Sequence, residues 1–272
     1  MSVRARPQLR ILGRWAPFAP PGGACPGYLV GDGLRFVLLD CGHGVASRLL
    51  AHIDLGQLEA VFLTHLHPDH WFDLPALRHA LRARAGRGGG STQAAVPLFV
   101  PSRPEDFFSR ISSYGEAFAV HPLVDPEEKA LLSAGAVCPG QAQPQEIEVG
   151  PLRVRLFPTR HALPAYCLEL ACGGRKLFYT GDTAWWEGLV TMAAGAHTVL
   201  AEASLLEADR ELVPHDHLTA AQAAELARRA GAQTLILTHL WPEYDPEKLR
   251  AEASRHFSGK VLVAEEDAVY PL

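Results

Sequence analysis

The run Thr64-His65-Leu66-His67-Pro68-Asp69-His70 sets three imidazoles and a carboxylate in the spacing H-x-H-x-D-H. It follows the apolar stretch Ala60-Val61-Phe62-Leu63, which reads as a buried strand. Side chains of these types at a strand end can surround a cation from a single turn. Imidazole and carboxylate donors without a thiolate suit zinc first, with manganese or iron(II) as alternatives. The competing reading is a histidine-rich surface turn. Isolated histidines are common, but this spacing is not.

Other polar residues fall where apolar stretches end. Asp40 closes Phe36–Leu39, and His161 follows Leu152–Phe157 through Pro158-Thr159-Arg160. Asp182 follows Leu177-Phe178-Tyr179-Thr180-Gly181, Glu202 follows Thr198–Ala201, and His239 follows Leu235-Ile236-Leu237-Thr238. Open sheets take ligands outside their strand ends, so strands of two sheets can deliver residues to one crevice. A single aspartate after a strand is usually a turn or cap residue. It is the recurrence at successive strand ends that points to chemistry.

The elements that must position these residues follow from periodicity and punctuation. Strands are predicted at Leu9–Leu12, Tyr28–Val30, Arg35–Leu39, Ala60–Leu63, Leu152–Phe157, Tyr166–Ala171, Lys176–Thr180, Thr198–Ala201, Thr234–Thr238 and Lys260–Val263. Gly31-Asp32-Gly33 is a hairpin signal. Helices are predicted at Val45–His52, Leu74–Arg84, Pro104–Tyr114, Pro126–Ala134, Trp185–Met192, Thr219–Ala230 and Pro246–Arg255. Gly86–Ser91 reads as a flexible loop, and Thr219-Ala220-Ala221-Gln222 as a capping box. The span from Val96 to Glu146 is Pro-rich and carries mainly helix signals. No repeat of fixed period is present.

The chain has 272 residues, 48% hydrophobic and 20% charged, which suits a folded domain with ample material for a core. A net charge of -5 argues against a surface that attracts nucleic acid over its whole extent. The five cysteines, Cys25, Cys41, Cys138, Cys167 and Cys172, are odd in number and lack a C-x-x-C pair. They read as reduced thiols of a cytoplasmic protein. Basic residues at the N-terminus have no apolar run behind them, so a secretory leader is not expected. No apolar run has the length of a membrane span, so a membrane partner is not expected.

In order, these motifs resemble those of the metallo-β-lactamase superfamily over nearly the whole chain, and most closely its ribonuclease Z-like phosphodiesterase branch. The resemblance implies an α/β fold, a four-layer αββα sandwich, formed as one domain over 1–272 with a helical, Pro-rich insertion at about 71–146. It implies two divalent metal ions. One is held by His65, His67 and His161, the other by Asp69, His70 and His239, with Asp182 bridging and Asp40 supporting the metal loop. Two such ions about 3.5–4 Å apart clamp both oxygens of an in-line phosphoryl displacement. Glu202-Ala203-Ser204 and His215-Asp216-His217-Leu218-Thr219 resemble the pair of that branch in which a glutamate orients a proton-donating histidine. His217 is the candidate acid, Glu202 its orienter, and Asp69 joins them among the catalytic residues. His215 is the competing candidate. The capped helix after Thr219 is expected to turn its N-terminus toward an anionic substrate.

The sequence departs from the tRNA-cutting members of that branch. These carry a long arm between the histidine and aspartate motifs matched by His161 and Asp182, whereas here two short strands fill that interval. The long interval lies between His70 and His161 and is read as a lid or a dimerisation element, with a homodimer expected. Arg78, Arg82, Arg84 and Arg87 within it read as a solvated helix face before a phosphate-steering patch. A small phosphodiester such as a cyclic nucleotide is therefore the expected substrate. Processing of RNA 3′ ends is the alternative, and thioester or lactone hydrolysis a further one. The branches that carry out the last lack the Glu202/His217 pair.

Overall fold

The structure, a computed structural model, describes residues 7–87, 94–123, 145–212 and 216–272. The first sheet takes β1 (Gln8–Gly13), β2 (Gly27–Gly31), β3 (Phe36–Leu39), β4 (Leu58–Phe62), β5 (Val96–Pro101) and β6 (Phe118–Leu123). The second takes β7 (Gln145–Val149), β8 (Leu152–Pro158), β9 (Tyr166–Cys172), β10 (Arg175–Tyr179), β11 (Thr198–Glu202), β12 (Thr234–Thr238) and β13 (Lys260–Val263). β14 (Val269–Pro271) returns to the first. The sheets are seven-stranded, in the orders β14-β1-β2-β3-β4-β5-β6 and β13-β12-β11-β10-β9-β8-β7.

Alternation along the strands sets the layers. In β3, Phe36 and Leu38 face the helices α1 (Val45–His52), α2 (Leu74–Arg87) and α3 (Glu105–Ser112). Val37 and Leu39 face the other sheet, packing in one core with Tyr28, Leu168, Tyr179 and Ile236. In β12, Leu235 and Leu237 meet α4 (Glu187–Ala193), α5 (Ala220–Ala230) and α6 (Pro246–Ser254), while Ile236 points between the sheets. Strands buried on both faces read as continuous apolar runs. The result is the expected αββα sandwich.

Most of the elements expected from sequence are present, with ends displaced by up to three residues. Asp32 closes the β2–β3 hairpin by accepting from the Leu34 and Arg35 amides, both at 2.8 Å. Thr219 caps α5 in the reciprocal box with Gln222. The expected insertion at about 71–146 needs correcting over 96–123. These residues supply β5 and β6 of the first sheet, parallel to β4, with α3 packed outside. Pro97, Pro101 and Pro122 argued against strand there. Pro97 precedes the β4–β5 pairing, which begins at Leu98, so its missing N–H costs that ladder nothing. β7 and β14 were not anticipated either. Gly86 and Arg87 belong to α2, while the rest of the expected Gly-rich loop lies outside the described residues, as does the helix expected at Pro126–Ala134. Arg78 and Arg82 pair with Glu116, and Arg84 with Asp54, which fits a solvated helix face. Cys25, Cys41, Cys167 and Cys172 are unpaired and buried. No helix among the described residues is long and apolar enough to cross a membrane.

Candidate active site

The loop after β4 carries His65, His67, Asp69 and His70, with a 3₁₀ turn over Pro68–His70 folding the last two back. His161 follows β8, Asp182 follows β10, and His239 follows β12. Three of these strand ends turn through left-handed backbone: Asp40 (φ 57), Gly181 (φ 53) and His239 (φ 55). At Gly181 the need is also steric, since a Cβ there would lie 2.7 Å from the Tyr166 carbonyl oxygen. For Asp40 and His239 this backbone is uncommon and costs energy, of the kind concentrated at functional sites.

The ends converge. His65 Nε2 and His161 Nε2 each lie 3.0 Å from His67 Nδ1. His65, His67, His161 and Asp182 form one group of ligand-type atoms, Asp69, His70 and His239 another, and Asp182, His217 and His239 a third. Asp182 Oδ2 faces both, 3.6 Å from His65 Nε2, 3.5 Å from His70 Nε2 and 3.0 Å from His239 Nε2. All seven residues expected from sequence to hold metal are thus brought together.

The donor chemistry suits cations. His70 Nε2, His239 Nε2 and Asp182 Oδ1 are buried without a hydrogen-bond partner, an expensive arrangement that a cation relieves. Burial and the neighbouring His70 push His65 well below the usual histidine range, leaving a neutral ring with a free lone pair. Burial opposes charge on His70 too, but Asp182, Asp40 and Asp69 outweigh it and raise its pKa well above normal. The same contest raises His239 to about 10, with Asp182 the main opposing group. The carboxylates therefore demand positive charge here, and divalent ions supply it more densely than protons.

Outer contacts fix the rings. His70 Nδ1 donates to Asp40 Oδ2 at 3.0 Å, and His161 Nδ1 to the Asp216 carbonyl oxygen at 3.1 Å. Thr64 Oγ1 lies 3.0 Å from both Asp40 oxygens and 3.1 Å from His65 Nδ1. Ser204 Oγ lies 2.9 Å from His239 Nδ1. A proton held on Nδ1 leaves Nε2 free to ligate. Sequence reasoning gave no role to Thr64, Tyr179, Ser204 or Asp216. Thr64 carried a signal as the residue that opens the histidine run, and Ser204 and Asp216 lay inside motifs singled out for Glu202 and His217.

Beside this cluster, Glu202 Oε2 accepts from His217 Nδ1 at 2.9 Å, and His217 Nδ1 is 4.0 Å from Asp182 Oδ2. Glu202 Oε1 accepts from the Thr183 amide at 2.6 Å. Burial disfavours charge on His217, but Glu202 prevails and raises it to about 9. His215, the competing candidate, lies outside the described residues. The α5 N-terminus does not behave as expected. Thr219 and Gln222 satisfy it internally, and the Thr219 hydroxyl donates to the Glu207 carboxylate at 2.6 Å, so this end already carries an anion.

Paired mixed sheets, helix layers outside them and a histidine–aspartate cluster at the strand ends define a metallo-β-lactamase fold. Residues 35–240 match the Beta-lactamase superfamily domain, and the chain belongs to that superfamily. It is 25% identical over 266 residues to the probable metallo-hydrolase YhfI of Bacillus subtilis (strain 168), covering 97% of this chain and 99% of that protein. It is 30% identical over 283 residues to a ribonuclease Z of Bradyrhizobium sp. (strain ORS 278), covering 89% of this chain and 92% of the relative. The crystal structure of B. subtilis YhfI superposes with a TM-score of 0.84 at 24% identity, over 97% of this chain and 99% of that one. Human tRNase Z, short form (ELAC1), superposes with a TM-score of 0.73 at 24% identity, over 97% and 98%. These two structures speak to the fold alone. With these relatives, the chain is a metallo-hydrolase of the superfamily, and its histidine–aspartate cluster is able to bind metal.

Proposed function

We propose that this protein is a dinuclear-metal-dependent phosphodiesterase acting on a small phosphodiester such as a cyclic nucleotide. The carrying observation is the 2.9 Å hydrogen bond between Glu202 and His217, 4.0 Å from Asp182. Breaking a P–O bond expels an alkoxide, which needs a proton, and a held histidine beside the ligand cluster can give one. In this reading His65, His67 and His161 would hold one ion and Asp69, His70 and His239 the other, with Asp182 facing both groups. Zinc is the first choice for this donor set. Bound ions of this kind stabilise charge on the attacking and leaving oxygens. Glu202 keeps a proton on His217 Nδ1 and favours the charged ring, leaving Nε2–H to be donated. The unpaired cysteines accord with a cytoplasmic protein.

A second reading, an endonuclease on RNA 3′ ends, draws on the 30% identity to a ribonuclease Z. The interval between His161 and Asp182 weighs against it. β9 and β10 fill that interval, joined by a tight turn through Gly173 (φ 54) and Gly174 (φ 80). No tRNA-gripping arm projects there.

The test is to assay zinc- or manganese-loaded protein on bis(p-nitrophenyl) phosphate, cyclic AMP and a precursor tRNA. Turnover of the small diesters with poor cleavage of the tRNA is expected. Efficient tRNA cleavage without turnover of small diesters overturns the proposal in favour of the nuclease.

A further inference from the structure

We infer that Ser204 is a positioning residue that couples the two tasks of this site, ion binding through His239 and proton delivery through His217, by way of one oxygen of Glu202. Ser204 follows β11 and is fully buried. Its backbone amide donates to the Leu218 carbonyl at 3.1 Å. The Ala203 amide before it donates to Thr238 at 2.9 Å. The hydroxyl is thus held between the segments that carry His217 and His239.

The proton arrangement follows from the contacts. His239 Nε2 is the ring nitrogen facing carboxylates, 3.0 Å from Asp182 and 3.6 Å from Asp69, and it is buried without a hydrogen-bond partner. If it offers a lone pair to a cation, the ring proton sits on Nδ1. Ser204 Oγ is 2.9 Å from Nδ1, whereas Glu202 Oε2 is 3.9 Å away. Ser204 Oγ therefore accepts, and its own hydrogen must go elsewhere. Two acceptors are in reach, Glu202 Oε2 at 2.8 Å and the His239 carbonyl at 3.2 Å. The closer, anionic oxygen wins. That same oxygen accepts from His217 Nδ1 at 2.9 Å. The chain runs from His239 Nδ1–H to Ser204 Oγ–H to Glu202 Oε2, where it meets the bond from His217.

Removing the hydroxyl leaves a buried Nδ1–H without an acceptor. His239 can recover one only by tilting toward Glu202, which turns Nε2 away from the cluster and makes Glu202 divide its Oε2 between two rings. One substitution should then weaken ion binding and loosen the acid. The inference rests on the reading of His239 as a ligand and His217 as the proton donor, so wild type and His217→Ala are measured alongside.

The experiment combines zinc affinity by chelator competition, ¹⁵N imidazole spectra of the zinc-loaded protein, and turnover of diesters with good and poor leaving groups at saturating zinc. For Ser204→Ala, the weaker zinc affinity is expected to fall about 10–100-fold, as for other outer-shell partners of ligating histidines. The hydrogen-bonded His239 Nδ1–H resonance should be lost or shifted while those of His65 and His70 stay. Turnover should drop more for the poor leaving group. Ser204→Thr, which keeps the hydroxyl, should restore the His239 resonance. Should its extra methyl disturb the fold, the Ser204→Ala spectra and affinity decide alone. Wild-type zinc affinity with an unchanged His239 resonance in Ser204→Ala overturns the inference, and so does an equal loss on all substrates with zinc affinity intact. Wild type that takes up no zinc, or His217→Ala that slows good and poor leaving groups alike, defeats the proposed function instead.

Discussion

Tyr179 donates a 2.8 Å hydrogen bond to Asp40 Oδ2 across the interface between the two sheets. Tyr179 ends β10 of the second sheet and Asp40 follows β3 of the first. The same carboxylate oxygen accepts from His70 Nδ1 at 3.0 Å. A ring that faces the candidate ions is thus aimed by a residue that a phenol from the opposite sheet holds in place. Tyr179→Phe should destabilise the protein by about 1.5–3 kcal/mol, the usual worth of a hydrogen bond to a charged group. Urea denaturation measures that loss, and zinc titration should show weaker binding.

His217→Ala and Asp182→Ala should fail in different ways. His217 is outside the set proposed to hold ions, so His217→Ala should retain metal while kcat falls about 10²–10⁴-fold on a poor leaving group. The loss should shrink with p-nitrophenolate, which departs without a proton. Asp182→Ala should lose metal and slow every substrate alike. Elemental analysis beside a leaving-group series separates the two.

The pH profile carries its own sign. A proton donor works while protonated, so kcat on a poor leaving group should fall as pH rises through the His217 value. That value is about 9 from burial opposed by Glu202, and bound cations beside it pull it lower. An alkaline limb below pH about 9 is expected with poor leaving groups and none with p-nitrophenyl esters. Glu202→Gln, which removes the anion that raises His217, should move the limb to lower pH. A limb that appears equally with both kinds of leaving group assigns it to another group.

Metal removal should show in stability. Zinc at about 100 times its Kd adds about 2.7 kcal/mol if only the folded state binds it. Without metal, burial disfavours charge on His239, but the carboxylates around Asp182 raise it to about 10. A raised histidine stabilises the fold fully below its unfolded value of about 6.5, and the gain disappears as pH rises through the folded value. Chelator-treated protein should therefore lose stability between about pH 6.5 and pH 10. Zinc-loaded protein, in which the ion replaces that proton, should not show this slope in thermal denaturation.

The site was legible in sequence where ligand-type residues closed apolar runs, because a buried strand announces its own end. His65 to His70, His161, Asp182 and His239 were all singled out in this way, and the fold gathers them. Ser204 and Tyr179 carried no such signal, since their roles arise from what stands opposite them in another strand. The strain at Asp40 and His239 was equally silent, because only glycine advertises a left-handed turn. β5 and β6 were hidden by prolines placed where the ladder does not need their amides. The α5 N-terminus was misjudged because Glu207, which occupies it, comes from a separate 3₁₀ turn over Glu207–Leu212.

His67 and His161, which share a proposed ion, come from different sheets, and so do Asp69 and His239. An ion held by either pair would be a cross-link between the two sheets that exists only while the chain is folded, so it would stabilise the native state by its own binding free energy. It also resists any opening in which the two sheets part while each stays internally paired. Amide exchange at the ends of β4, β8 and β12 should slow together when metal is added, because those ends would be pinned at the same points. In that sense the site is a fastener for the sandwich as well as a place for chemistry.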